Sequence, residues 1–291
     1  MNQKIKVYFI GGLTNGKIVF DYLKANKYVD LVGVITYSDS FSGARHIPFE
    51  SDEYIIKSGK TKGYERYIMD SEPDLIIVAG WSELIPNEIL EIPPMGVIGF
   101  HPAKLPMDRG RSVLAWQIED GYTETALTMF KYTDYPDGGD IIGQDIIKIE
   151  KEDYISDILD KVDAATENLM KAYFPLLRQG LAMPRKQVLS EGSFRRLRNA
   201  GNSAINWNSN SETIYNKVRA ISHPYPGATT TLKIEGKDSN LAVWRSEIVE
   251  NFPYGKETKP STVVAKLFDS SIIVKTRDAF LRITEYDIIN D

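Results

Sequence analysis

His101 follows directly on the apolar run 96–100 and opens the segment His-Pro-Ala-Lys-Leu-Pro-Met-Asp-Arg-Gly-Arg (101–111). Further along, Asp134, Asp137 and Asp140 cluster in Thr-Asp-Tyr-Pro-Asp-Gly-Gly-Asp (133–140). A histidine and a carboxylate on neighbouring strand ends can hydrogen-bond. The carboxylate then orients the ring and stabilises its protonated form. Such a pair suits a proton-transfer step. The same residues also fit a capped loop histidine and an Asp-rich turn whose side chains bond their own backbone. The other two histidines have plainer roles: His46 reads as a surface-loop residue and His223, before Pro224, as a structural one.

The elements that must position these residues alternate. Residues 6–10 read as a strand ended by Gly11-Gly12. Residues 17–25 have helical apolar spacing at Ile18, Val19, Tyr22 and Leu23. A second strand is predicted over 30–36 and a short helix over 64–69. The run 74–79 is rich in β-branched residues, as in a strand buried on both faces. Residues 37–62 are polar and unassigned, and the length suits a mobile loop over a site. The βαβ rhythm predicts an α/β fold, a Rossmann-like and mostly parallel sheet covered by helices. Ligands in such folds bind at the carboxyl ends of the strands, where Gly11-Gly12, Gly80-Trp81 and His101-Pro102 all fall.

Beyond these come a helix over 112–120, strands over 125–132 and 141–149, and a long amphipathic helix over 154–177. The pattern breaks over 179–202, where Gly, Pro and Arg accumulate. The expected domains are 1–190, carrying the chemistry, and 203–291. The second holds a helix over 211–220 and short strands over 229–234, 241–244, 263–267, 272–275 and 281–286. It reads as a small, open, OB-like β-barrel.

The 291 residues carry no cysteine, which excludes disulfides, thiolate catalysis and Cys-based zinc sites; no metal centre is expected. The net charge of −5 argues against a nucleic-acid partner. One basic stretch, Arg185-Lys186 with Arg195, Arg196 and Arg198, reads as a solvated linker or, alternatively, as a patch for substrate phosphates. No basic-then-apolar leader and no membrane-spanning run is visible, so a cytoplasmic protein is expected. Gly11-Gly12-Leu13-Thr14-Asn15-Gly16 departs from Gly-x-Gly-x-x-Gly, so a nicotinamide oxidoreductase is the weakest reading.

Segment 96–143 resembles the folate-dependent formyltransferases. Their pattern runs from a buried strand through Asn-x-His, Leu-Pro and Arg-Gly to Asp-x-Gly-Asp. Here it reads Gly99-Phe100-His101, Leu105-Pro106, Arg109-Gly110 and Asp137-Gly138-Gly139-Asp140. Residues 79–86 are similar to the family's pterin-receiving loop, and 205–207, 219–220 and 223–228 to the entry of its C-terminal barrel. The resemblance covers nearly the whole chain, with several motifs in order.

It implies 10-formyltetrahydrofolate as formyl donor, with His101 and Asp137 catalytic. Trp81, Leu84, Ile85, Pro86, Asp134 and Asp137 would hold the donor; Gly11, Thr14, Asn15 and Arg109 would meet the acceptor. Within the family the chain looks most like the enzymes that formylate a nucleotide-linked amino sugar for lipopolysaccharide or another surface glycan. A methionyl-tRNA formyltransferase and a non-catalytic folate- or nucleotide-binding homologue are the alternatives. A homodimer is one option for its assembly.

One departure bears on the chemistry. The family's oxyanion-donating Asn stands two residues before the histidine, where this chain has Gly99. Losing one such donor costs about 10²–10³ in rate. Three explanations are open: another donor, such as Lys104 or a backbone N–H near Gly99; a slow, divergent transferase; or a binder that no longer catalyses. The first is favoured.

Overall fold

The computed structural model describes residues 4–50, 52 and 54–289. Its larger sheet has seven strands in the order β3-β2-β1-β4-β5-β7-β8. These are β1 (Ile5–Gly11), β2 (Val29–Thr36), β3 (Ile55–Lys57), β4 (Leu75–Ala79), β5 (Val97–His101), β7 (Glu124–Lys131) and β8 (Ile141–Lys148). The two-residue strands β6 (Arg109–Gly110) and β9 (Phe194–Arg195) pair with each other. Helices α1 (Thr14–Ala25), α2 (Glu65–Asp70), α3 (Asn87–Leu90), α4 (Val113–Glu119), α5 (Ile155–Arg178) and α6 (Ser211–Ile221) complete the set.

β1 lies at the centre because its side chains are apolar on both faces. Val7, Tyr8, Phe9 and Ile10 are all fully buried. Tyr8 and Ile10 pack with Ile68 of α2 and Ile89 of α3. Phe9 meets Phe20 of α1 and Phe49, with ring centroids 6.1 and 6.2 Å away. β1 to β5 run parallel where they pair, but β7 runs antiparallel to β5, with His101 opposite Thr128 and Ile98 opposite Lys131. The segment 37–62 contains the edge strand β3, whose three residues are too few for periodicity to reveal.

The chain forms two compact units. One comprises Met1–Gly110, Thr125–Ile147 and Asp160–Arg195; the other comprises Arg111–Glu124, Lys148–Leu159 and Arg196–Asp291. The second contains an antiparallel half-barrel sheet, β10-β11-β14-β13-β12. Its strands are β10 (Ala228–Ile234), β11 (Lys237–Val249), β12 (Val263–Lys266), β13 (Ile272–Lys275) and β14 (Phe280–Ile288). β10 and β11 are joined by Glu235-Gly236, both at positive φ, the turn geometry that matches strand twist in a two-residue hairpin. Glu119 of α4 pairs with Arg198 at 2.5 Å and Lys217 of α6 at 2.8 Å.

The α6 helix has a double N-terminal cap. The Asn210 side chain accepts from Thr213 N, and Asp278 accepts from Ser211 N, both at 2.8 Å. Burial acts to raise the Asp278 carboxyl, but the Ser211 N–H and the Thr276 hydroxyl prevail and hold it below the ordinary value. A carboxyl lowered on folding stabilises above its unfolded pKa of about 4 and loses that contribution as pH falls through the folded value. Asp278→Asn is therefore expected to lower the thermal midpoint at pH 7, with the difference from the parent closing in acid. A difference independent of pH would remove the carboxylate cap from the account. Among the described residues, no helix is long and apolar enough to cross a membrane.

Candidate active site

His101 ends β5 and is 5% exposed. Its Nε2 lies 2.8 Å from the Asp108 carbonyl oxygen. A carbonyl only accepts, so Nε2 carries a proton. The other ring nitrogen, Nδ1, faces Asp137 Oδ1 at 3.5 Å. With one proton on Nε2, a lone pair faces a carboxylate. With a second proton on Nδ1, the ring becomes an imidazolium between two acceptors. The arrangement can thus take up one proton at Nδ1 and hold it beside a negative charge.

Asp137 is not held by strand proximity alone. β7 runs against β5, so it passes the level of His101 at Thr128 and leaves the sheet beyond it, opposite Ile98. The loop after it must climb back. Two devices fix the climb. Asp137 adopts φ +54°, a left-handed conformation that Asp tolerates better than most residues, and its Oδ2 accepts from Gly110 N at 2.8 Å. Gln187 Nε2 donates to the carbonyls of Asp137 and Gly139 at 2.9 and 2.6 Å. Gly139 has no alternative here, since a Cβ would lie 1.7 Å from the Lys131 carbonyl oxygen.

The partner of Nε2 is held equally firmly. Asp108 is 1% exposed and has φ +53°. Its Oδ1 accepts from Arg195 Nε at 2.6 Å and from Ser193 Oγ at 3.1 Å, while its N–H donates to Ser193 Oγ at 2.8 Å. β6 and β9 pair in parallel beside it. Arg195 is therefore bound to a buried carboxylate, not solvated in a linker, and Arg185 exchanges both backbone bonds with Ile141 at 2.8 Å. The sequence carries no signal that groups Asp108 with Ser193 and Arg195, because it lies 85 and 87 positions from them.

The other sequence-selected residues scatter around this centre. Gly11 is buried at the end of β1. Thr14 donates to Asp163 at 3.0 Å, and Arg45 binds both Asp163 and Asp160. Asn15 lies close to Gly80. Trp81 stacks on Tyr37 at 4.6 Å, and its buried indole N–H has no partner among the described residues. Leu84 is 78% exposed, Ile85 is buried, and Pro86 precedes α3. Lys104 and Asp134 are exposed. Arg109 is buried; its Nη2 donates to the Leu189 carbonyl at 3.1 Å, and Nη1 has no partner among the described residues. Among the described residues no group of three or more His, Asp or Glu could hold a metal ion.

Comparison with known proteins decides the family. The formyl transferase model matches residues 3–173, and the formyl transferase C-terminal domain matches 199–289. The chain belongs to the formyltransferase family. It is 30% identical over 292 aligned positions to a methionyl-tRNA formyltransferase of Bacillus cytotoxicus, covering 97% of this chain and 90% of that protein. Two solved structures share the fold of this formyltransferase. One is the N-formyltransferase of Helicobacter canadensis in complex with folinic acid and dTDP-3-aminofucose. It has 16% identity and a TM-score of 0.70, with 97% of this chain and 100% of that one covered. The other is HypX of Aquifex aeolicus in complex with tetrahydrofolic acid. It has 17% identity and a TM-score of 0.71, with 99% of this chain aligned to 45% of that longer one.

Proposed function

We propose that this formyltransferase moves the formyl group of 10-formyltetrahydrofolate to the amine of a nucleotide-linked amino sugar, as a cytoplasmic step toward a surface glycan such as lipopolysaccharide. The observation that carries the choice of acceptor is the pairing of three of its cations. Arg45 is bound by Asp160 and Asp163, Lys57 by Asp39 and Arg195 by Asp108. A tRNA is held by cations that neutralise its phosphates, and these are neutralised within the chain, whose net charge is −5. The dTDP-3-aminofucose complex of the Helicobacter neighbour supports an acceptor of this class.

In this reading the pterin lies against Trp81, Leu84, Ile85 and Pro86. The exposed Leu84 offers an apolar face, and the unpartnered Trp81 N–H offers a donor. The acceptor meets Thr14, Asn15 and Arg109. The neutral amine attacks the formyl carbon. His101 takes the amine proton at Nδ1, and Asp137 stabilises the imidazolium.

The expected result is a gain of one formyl group, seen by mass spectrometry, with a member of a panel of dTDP-, UDP- and GDP-amino sugars. No product from any of them sinks the acceptor reading. A second reading, formylation of methionyl-tRNA, is favoured by the 30% identity to the Bacillus enzyme over 97% of the chain. Tight, salt-sensitive gel-shift binding of initiator tRNA would select it.

A further inference from the structure

We propose that the Tyr132 hydroxyl donates to the oxyanion formed on the formyl carbon, and that position 99 is glycine because the Tyr132 ring fills the space of its side chain. The inference rests on the formyl-transfer reading and assigns a residue within it. Gly99 and His101 lie two apart on β5 and so face the same side of the sheet. A Cβ on Gly99 would lie 2.0 Å from Tyr132 Cε1, 2.6 Å from Cζ and 2.8 Å from the hydroxyl oxygen. The hydroxyl therefore occupies the place a short polar side chain at 99 would fill, one strand repeat from the base of His101.

The ring is held from several directions. Its backbone N–H donates to the Val97 carbonyl at 2.7 Å. It stacks on Phe130 with centroids 5.0 Å apart and packs with Leu105 and Ile141. Its other flank joins the cluster that includes Ile85 and Trp81, the predicted pterin side. Among the described residues the hydroxyl makes no hydrogen bond and is not sealed in the core. Burial first, and then the Asp137 carboxylate, push the phenol above its ordinary value, so at neutral pH it is a donor. An unpartnered O–H fixed between the proton-accepting pair and the donor's loop is what a developing oxyanion needs. Lys104, the other candidate, is at the surface.

The step balances. The amine nitrogen forms a bond to the formyl carbon as the carbonyl π pair moves onto oxygen, and the amine proton goes to His101. The oxyanion accepts a hydrogen bond from Tyr132 without taking its proton. Collapse restores the carbonyl and breaks the bond to N10 of the folate, which takes the proton back from His101.

The test compares Tyr132→Phe, Gly99→Ala and the double variant with the parent chain. Phenylalanine keeps the packing and removes only the donor. Tyr132→Phe should lower kcat by about 10²–10³-fold, with donor Kd and thermal midpoint unchanged. Gly99→Ala displaces the ring and should be similarly slow. The double variant should be no slower than Tyr132→Phe alone, since both changes remove one interaction. A Tyr132→Phe kcat within threefold of the parent overturns the proposal. Where no amino sugar is formylated, hydroxylamine serves as acceptor. Turnover with hydroxylamine alone overturns the acceptor assignment, and the Tyr132→Phe comparison then decides this inference by itself.

Discussion

His101→Ala is expected to lower kcat by about 10²–10⁴-fold, the usual value of a positioned acid–base group, while leaving the affinity for the folate donor nearly unchanged. In the proposed reaction the ring offers the Nδ1 lone pair to the amine proton, while its other nitrogen is committed to the Asp108 carbonyl. Asp137→Asn should approach the same loss by a different route. The amide keeps the left-handed backbone conformation, which Asn tolerates, and can still accept from Gly110 N. It lacks the charge that stabilises the imidazolium, however, and it can turn an N–H toward Nδ1. Rates of formylated product, measured under saturating donor, check both. Turnover within tenfold of the parent in both variants takes the pair out of the chemistry.

Asp108→Ala is the change expected to cost most in stability. It removes a carboxylate that is 1% exposed, leaving Arg195, 23% exposed, facing a hole where its counter-charge was. Breaking one side of a buried pair costs about 3–5 kcal/mol, and the residual hydration of Arg195 points to the lower end, about 3 kcal/mol. Alanine at φ +53° adds strain. Asp108→Asn keeps the backbone conformation and an acceptor for Ser193, so it isolates the charge and should lose less. Urea midpoints at constant slope separate the two. An unchanged midpoint for Asp108→Ala would mean that the ion pair contributes nothing to the fold.

The sequence made the large elements legible where one physical signal dominates. β1 and β4 read as strands because every residue of the runs 7–10 and 75–79 is buried, and α5 because its apolar stripe spans many turns. β3, α3 and the β6–β9 pair escaped because two to four residues carry no period. His101 and Asp137 were legible as residue types beside apolar runs. What places them was not. The antiparallel course of β7, the left-handed turn at Asp137 and the Gln187 brace depend on partners far along the chain. Tyr132 could have been suspected, since an apolar-alternating run ends on it and glycine stands two before the histidine. Only the fold brings ring and glycine into one space.

The tie between Asp108 and Ser193, 85 positions apart, also has a bearing on the order of assembly. Closing so long a loop carries an entropic cost that grows with the logarithm of its length, and contacts of this separation form after local ones are in place. The carbonyl that holds the His101 ring is positioned through this tie. A chain synthesised only as far as the end of α5 therefore has its sheet and its histidine but not the second anchor of that histidine. That anchor is completed only by the last stretch of this unit, residues 193–195.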